Sequence, residues 1–140
     1  MMIAPNFSLA ELTATSHKDL QEANRIVPPE YMSSGFVLAN AILQPIRDKF
    51  GPVTVTSGYR GPPLNARVSG SKNSQHMKFE AADIVRPELY EIWAWCKSSN
   101  LRYGQCILEY SDGEPTWIHI SLGFPWRTEA KSQQHFKLGE

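Results

Sequence analysis

Cysteine, net charge and long apolar runs are all scarce in this sequence, and each scarcity removes a class of protein. The only cysteines are Cys96 and Cys106. They lack the close spacing of a thiolate metal site or redox pair, and one possible bridge does not make a disulfide scaffold. Both are expected to be small buried apolar residues. Fourteen Lys and Arg balance fourteen Asp and Glu, with no basic block, so the electrostatic footprint of a nucleic-acid binder is missing. The longest apolar runs, such as Val53 to Thr56 and Cys106 to Leu108, fall far short of the ~18 residues a membrane helix needs. Neither nucleic acid nor a membrane is an expected partner. The start, Met1-Met2-Ile3-Ala4-Pro5-Asn6-Phe7-Ser8, has no basic stretch ahead of an apolar core and no small-residue cleavage site. Synthesis in the cytoplasm without a secretory signal is therefore expected.

What is present is ordinary globular content, 41% hydrophobic and 20% charged over 140 residues. That is the size of one domain with one core. A single domain is expected over 1–140, with its core at about 7–122 and a polar tail at 127–140 whose order the composition leaves open. Phe7-Ser8-Leu9-Ala10-Glu11-Leu12 reads as a helix start, with Ser8 capping the amide of Glu11 and Phe7 and Leu12 at staple positions. Phe36, Ala39, Leu43, Ile46 and Phe50 recur at spacings of three and four ahead of Gly51-Pro52. They predict the main core helix, kinked at Pro45. Val53 to Thr56 is of strand type, and Ser57 to Gln75, rich in Ser, Gly, Pro and Asn, reads as a loop. Ala81 to Val85 predicts a short strand, and Pro87 opens a helix ending near Asn100. Tyr103 to Tyr110 and Thr116 to Leu122 predict a hairpin around Asp112-Gly113.

Four histidines occur, at 17, 76, 119 and 135. A lone histidine in a strand is more often a packed or surface residue than a ligand. As a set, however, His76, Asp83 and His119 supply two imidazoles and a carboxylate, the ligand count of a catalytic zinc site with its fourth position open for water. Zinc suits this mixture better than magnesium or calcium, which prefer oxygen shells.

The order of residues is also recognisable. Val55-Thr56-Ser57-Gly58-Tyr59-Arg60 is followed by Asn65, by Ser74-Gln75-His76 and by Ala81-Ala82-Asp83-Ile84. Gln105 to Glu109 and Trp117-Ile118-His119-Ile120-Ser121 complete the series. From about Phe7 to Ser121 this resembles the zinc D-alanyl-D-alanine carboxypeptidase family. That family includes VanY-type and VanX-type enzymes, phage L-alanyl-D-glutamate endolysins and, distantly, the Hedgehog signalling domain. The resemblance implies an α+β fold, a small antiparallel sheet with helices on one side. It also implies one zinc ion per chain on His76, Asp83 and His119. One departure stands out: the family usually places glycine three residues after the first zinc histidine, where this chain has Phe79. Glycine there suggests a backbone geometry or close approach that a side chain resists.

By the same resemblance Arg60 holds a substrate carboxylate or polarises the scissile carbonyl, work suited to a planar donor fork of fixed charge. Tyr59, Asn65, Ser74 and Gln75 shape the loop or orient ligands. Trp117, Trp126 and Tyr110 line a groove or pack as ordinary aromatics. A general base is needed near the metal, and Glu109 and Glu114 are the candidates. In a regular strand Glu114 lies roughly 16 Å from His119, at ~3.3 Å per residue. Glu109 lies across the hairpin. A three-residue connection, Asp112 to Glu114, pairs it with Trp117 on the face of His119, whereas a two-residue turn pairs it with Thr116 on the opposite face. Choosing Glu109 therefore predicts the longer connection. Other branches of the family carry this Glu where Thr116 stands here.

The expected function is cleavage of a peptide bond in the stem peptide of bacterial peptidoglycan, of D,D-carboxypeptidase or L-alanyl-D-glutamate endopeptidase type. A monomeric phage or prophage enzyme, released by a holin or carried in the virion, fits the missing signal. A second reading, a zinc-stabilised binding module of the same fold without turnover, rests on Phe79 and the open choice of base.

Overall fold

A computed structural model describes residues 1–123 and 134–140. Its first elements are a short antiparallel pair, β1 (Met2–Ala4) and β2 (Phe7–Ser8). Strands of three and two residues are too short to leave a period in the sequence. Ser8 then caps α1 (Leu9–Leu12), its Oγ accepting the Glu11 amide at 3.0 Å as the Ser-x-x-Glu pattern predicts. Phe7 and Leu12 are both buried. A second short helix, α2 (Lys18–Asn24), follows.

The main helix starts earlier than the apolar period suggests. It runs as α3 (Pro29–Val37), a π-helical segment Leu38–Leu43, and α4 (Gln44–Phe50). Pro29 fits the first turn, where no intrahelical N–H is needed. Pro45 has no N–H to give, and just ahead of it the Gln44 amide bonds the Ala39 carbonyl, five residues back. The widened turn accommodates the proline that the sequence reading took for a kink. It also rotates the buried stripe. Gly35, Leu38, Ala39, Ile42, Leu43 and Ile46 face the core, while Phe36, expected there, is 41% exposed.

The segment read as loop holds two ordered turns. The helix α5 (Pro62–Arg67) carries its prolines at the first positions, where their fixed φ favours the fold. A 3₁₀ turn spans Gln75–Lys78. The later helix is α6 (Leu89–Ser98), so Pro87 stands in the turn ahead of it instead of opening it.

The remaining strands are β3 (Thr54–Ser57), β4 (Ala81–Val85), β5 (Tyr103–Ser111), β6 (Glu114–Leu122) and β7 (Gln134–Leu138), in spatial order β3-β4-β6-β5-β7. The architecture is α+β, as the resemblance implies. Four strands are antiparallel and β7, from the tail that composition left open, adds to β5 in parallel. Alternation gives the sheet two faces. Ala82, Ile84, Cys106, Leu108, Ile118 and Ile120 are fully buried beneath the helices. Cys96 and Cys106 are free and buried, as expected, and hydrogen bonding to Cys96, followed by burial, pushes the Cys106 thiol up. On this face β7 is fastened to α6. His135 stacks on Trp93 at 4.0 Å between centroids, and Lys137 Nζ lies 5.3 Å and 5.4 Å from the Tyr90 and Trp93 rings.

The hairpin corrects one expectation and explains why its consequence survives. Asp112 (φ 53°) and Gly113 (φ 79°) form a two-residue turn, closed by Ser111 opposite Glu114. The three-residue connection is absent. Yet Glu109 pairs with Trp117, because the register shifts between Glu109 and Tyr110. Tyr110 faces Pro115, which has no amide to continue the ladder, and Thr116 is the extra residue of a β-bulge. Its hydroxyl donates to the Glu109 carbonyl at 3.0 Å. The bulge, and not the turn, sets the face on which Glu109 lies.

Candidate metal centre

The outer face of the sheet carries Asp83 on β4, His119 and Trp117 on β6, and Glu109 on β5. Asp83 and His119 are cross-strand partners, with His119 Nδ1 3.0 Å from Asp83 Oδ1. His76 is the second residue of the 3₁₀ turn, which Ser74 caps: its Oγ accepts the His76 amide at 3.2 Å. The His76 ring is oriented by the Gly58 carbonyl, which accepts from Nδ1 at 2.8 Å and leaves Nε2 facing Asp83 Oδ1 at 3.4 Å. One ligand atom from each of the three residues lies within 4.8 Å of the others. It is the one such group among the described residues. Burial works to raise the Asp83 pKa, but the hydrogen bonds and the charges of His119 and His76 together outweigh it and hold the carboxyl below its usual range. An anionic oxygen between two imidazoles is a donor set fit for a divalent cation.

Gly58 and Ser57 carry roles that the sequence reading did not assign. A Cβ on Gly58 would lie 2.3 Å from the Leu12 carbonyl oxygen, the same oxygen that accepts the Tyr59 amide at 2.8 Å. Only glycine lets β3 end this close to α1, and that approach sets the carbonyl holding His76. The signal was the Ser57-Gly58 pair directly after a β-branched run. Ser57 Oγ accepts from Arg60 Nε at 3.0 Å, and Arg60 Nη2 lies 3.5 Å from Asp83 Oδ2. The Arg60 amide donates to the His76 carbonyl at 3.0 Å, which ties the two loops to each other. The guanidinium also borders a cleft of about 150 Å³ lined by Thr15, Ser16, His17, Thr56 and Ser57.

Glu109 shares the outer face with the cluster, and burial raises its carboxyl above the ordinary glutamate range, with His119 pulling it down and Asp83 pushing it up. Glu114 is exposed beside the turn, opposite Ser111. The other expected residues divide. Ser74 and Gln75 build the turn under His76, the Gln75 carbonyl accepting the Glu80 amide at 3.0 Å. Asn65 acts further out, its Nδ2 donating to the Ser71 carbonyl at 3.0 Å. Tyr59 is buried in the core, its ring 5.8 Å from that of Phe79. Tyr110 packs against the core, and Trp126 lies outside the described residues.

Phe79 resolves the one departure from the expected pattern. It ends the 3₁₀ turn at φ 59°, ψ 37°, the left-handed conformation glycine adopts without cost. The backbone is therefore of the kind a glycine supplies, and the ring is directed into the core, fully buried against Gly35 and Tyr59.

Among the described residues no helix is long and apolar enough to cross a membrane. A family model described as Peptidase M15 matches residues 5–121. No curated protein matches the chain.

Proposed function

The chain belongs to the peptidase M15 family of metallopeptidases, and from that premise we propose that it is a zinc-dependent peptidase cleaving stem peptides of bacterial peptidoglycan. The bond would be of D,D-carboxypeptidase or L-alanyl-D-glutamate endopeptidase type. The observation that carries this reading is the convergence of His76, Asp83 and His119 on one face with Glu109 beside them. His76, Asp83 and His119 would hold the ion, since two imidazoles and a carboxylate suit zinc. When bound, zinc supplies Lewis acidity toward a carbonyl oxygen and a water molecule. Glu109 accepts the proton of the attacking water and passes it to the leaving amine. Arg60, already held by Ser57 and Asp83, donates to an anionic oxygen of the substrate. Trp117 flanks Glu109 across the strand pair. Tyr59 and Asn65 support the loop between β3 and His76. A monomer of phage or prophage origin, reaching the wall by holin release or within a virion, accords with this chemistry. Phe79 no longer favours an inert binding module, since it takes the backbone conformation that glycine would.

Mass spectrometry of sacculi and defined muropeptides, with the zinc-loaded protein beside a chelated control, tests the reading. New fragments that vanish on chelation support it and name the bond. Intact muropeptides from several wall types, with zinc bound, overturn it. Elemental analysis is expected to give one zinc per chain, lost in His76→Ala together with the metal-dependent part of the melting temperature.

The pH profile follows from Glu109. A general base works as the carboxylate, so kcat/KM is expected to fall as pH drops through its pKa. An acid limb is therefore expected in wild type and not in the residual activity of Glu109→Gln. The same limb persisting in Glu109→Gln would take the proton-accepting role away from this residue.

A further inference from the structure

The strand β7 is inverted relative to an ordinary edge strand. Its polar His135 and Lys137 are directed inward onto Trp93 and Tyr90 of α6. Its large apolar residues, Phe136 and Leu138, lie on the outer face and are 39% and 51% exposed. Edge strands usually keep exposed faces polar, so an apolar pair here is informative. Register places it against the centre. Asp83, His119, Ile107 and Phe136 are successive cross-strand partners in one row over β4, β6, β5 and β7. In the neighbouring row Trp117, Glu109 and Leu138 are partners. Phe136 is two strands from His119, about 10 Å at ~4.8 Å per strand, a span suited to two or three extended peptide residues.

The opposite flank is cationic. Arg60 lies on the β3 side of Asp83 and borders the polar cleft. The centre therefore sits between a fixed positive charge on its β3 side and an exposed apolar pair two strands away on β7, with the buried Ile107 between.

We propose that Phe136 and Leu138, over the buried Ile107, form an apolar subsite for an alkyl side chain of a short peptide that crosses the sheet with its anionic group at Arg60. This rests on the peptidase reading and deepens it, giving the substrate a direction across the strands. The subsite takes the uncharged segment and Arg60 the carboxylate. Specificity then belongs partly to a strand that contributes nothing to the metal ligands.

The test is steady-state kinetics on a synthetic peptide of the sequence wild type cleaves, and on its analogue with the alkyl residue replaced by serine. Phe136→Ser and Leu138→Ser are each expected to raise KM about tenfold, with kcat held within about twofold, since an apolar contact acts in ground state and transition state alike. Phe136→Leu should restore most of the loss. The serine analogue should bind wild type as weakly as the variants do. Val37→Ser, an exposed apolar position on α3, serves as the neutral control. Unchanged KM in both serine variants, with wild type active, overturns the subsite and leaves the peptidase reading intact. A zinc-loaded wild type that cleaves nothing overturns that reading and the subsite with it. Sedimentation gives the remaining check: a wild-type dimer that Phe136→Ser converts to monomer would make a second copy the occupant, and the subsite would fall.

Discussion

Replacing Glu109 with glutamine is expected to lower kcat by about 10²- to 10⁴-fold, the usual contribution of a positioned acid-base group, while bound metal and melting temperature stay at wild-type values. Glutamine keeps the shape of the side chain and loses the ability to take a proton. The separation of activity from metal content follows from the geometry. Glu109 lies outside the His76, Asp83 and His119 group, yet on the same face, with His119 and Asp83 near enough to act on its carboxyl. The matched substitution Glu114→Gln is expected to change nothing, because Glu114 is exposed opposite Ser111 at the turn. Steady-state kinetics with elemental analysis of each variant makes the check. Loss of zinc together with activity in Glu109→Gln would show that the residue supports the metal and is not the base.

The largest effect on stability is expected at a pair distant in sequence, Gly35 and Phe79. A Cβ on Gly35 would lie 2.4 Å from Phe79 Cε2 and 2.5 Å from Cδ2, inside the space of the ring. Gly35→Ala should therefore destabilise by about 1–3 kcal/mol through overpacking, although alanine is otherwise the better helix residue. Phe79→Gly removes a fully buried ring, a loss of about 3–5 kcal/mol by comparison with Phe→Ala in cores. Relief of the left-handed backbone offsets about 1–2 kcal/mol of it. In the double variant the alanine has no ring to meet. The cost of Gly35→Ala should vanish or reverse, a coupling of at least about 1 kcal/mol in a double-mutant cycle. Urea unfolding of the four proteins measures it. Additive effects would mean that the ring does not occupy the space beside Gly35. Phe79→Gly should also keep its zinc, because the turn that ends at residue 79 and presents His76 is one glycine adopts freely.

These two sites mark where the sequence was legible and where it was not. The ligand group could be read because its residue types carry the chemistry and β-alternation sets their faces: Asp83 and His119 stand in strands with apolar neighbours. The Ser8 cap, the placing of a hairpin turn at Asp112-Gly113, though not its length, and the burial of the cysteines are local or compositional, and were equally legible. What was hidden depends on partners far along the chain or on one-residue insertions. The π segment before Pro45 adds a residue to the helix and turns Phe36 outward, which a fixed period of 3.6 cannot anticipate. The bulge at Thr116 does the same for the hairpin, giving the Glu109–Trp117 pairing by a route other than the one expected. Helix α5 was masked by the prolines and small polar residues that start and flank it. The inverted pattern of β7 was unreadable as a strand, because its inward residues are a histidine and a lysine whose burial depends on aromatic rings of α6. The conformation of Phe79 looked like a departure until Gly35, on another element, showed where the ring goes.

The position of β6 between β4 and β5 bears on the order in which the molecule assembles. The hairpin of β5 and β6 closes through a two-residue turn, a local event on the microsecond scale. The junction of β6 with β4 brings together Asp83 and His119, 36 residues apart, and must meet the greater entropy of closing that span. The cluster thus straddles a junction made by distant parts of the chain, with His76 tied to the β3 side of it through Gly58 and Arg60. An ion held there would bridge the two halves of the fold. Amide exchange across Ile118 to Ser121 is therefore expected to slow when the ion is bound, while exchange at the hairpin turn stays as it is.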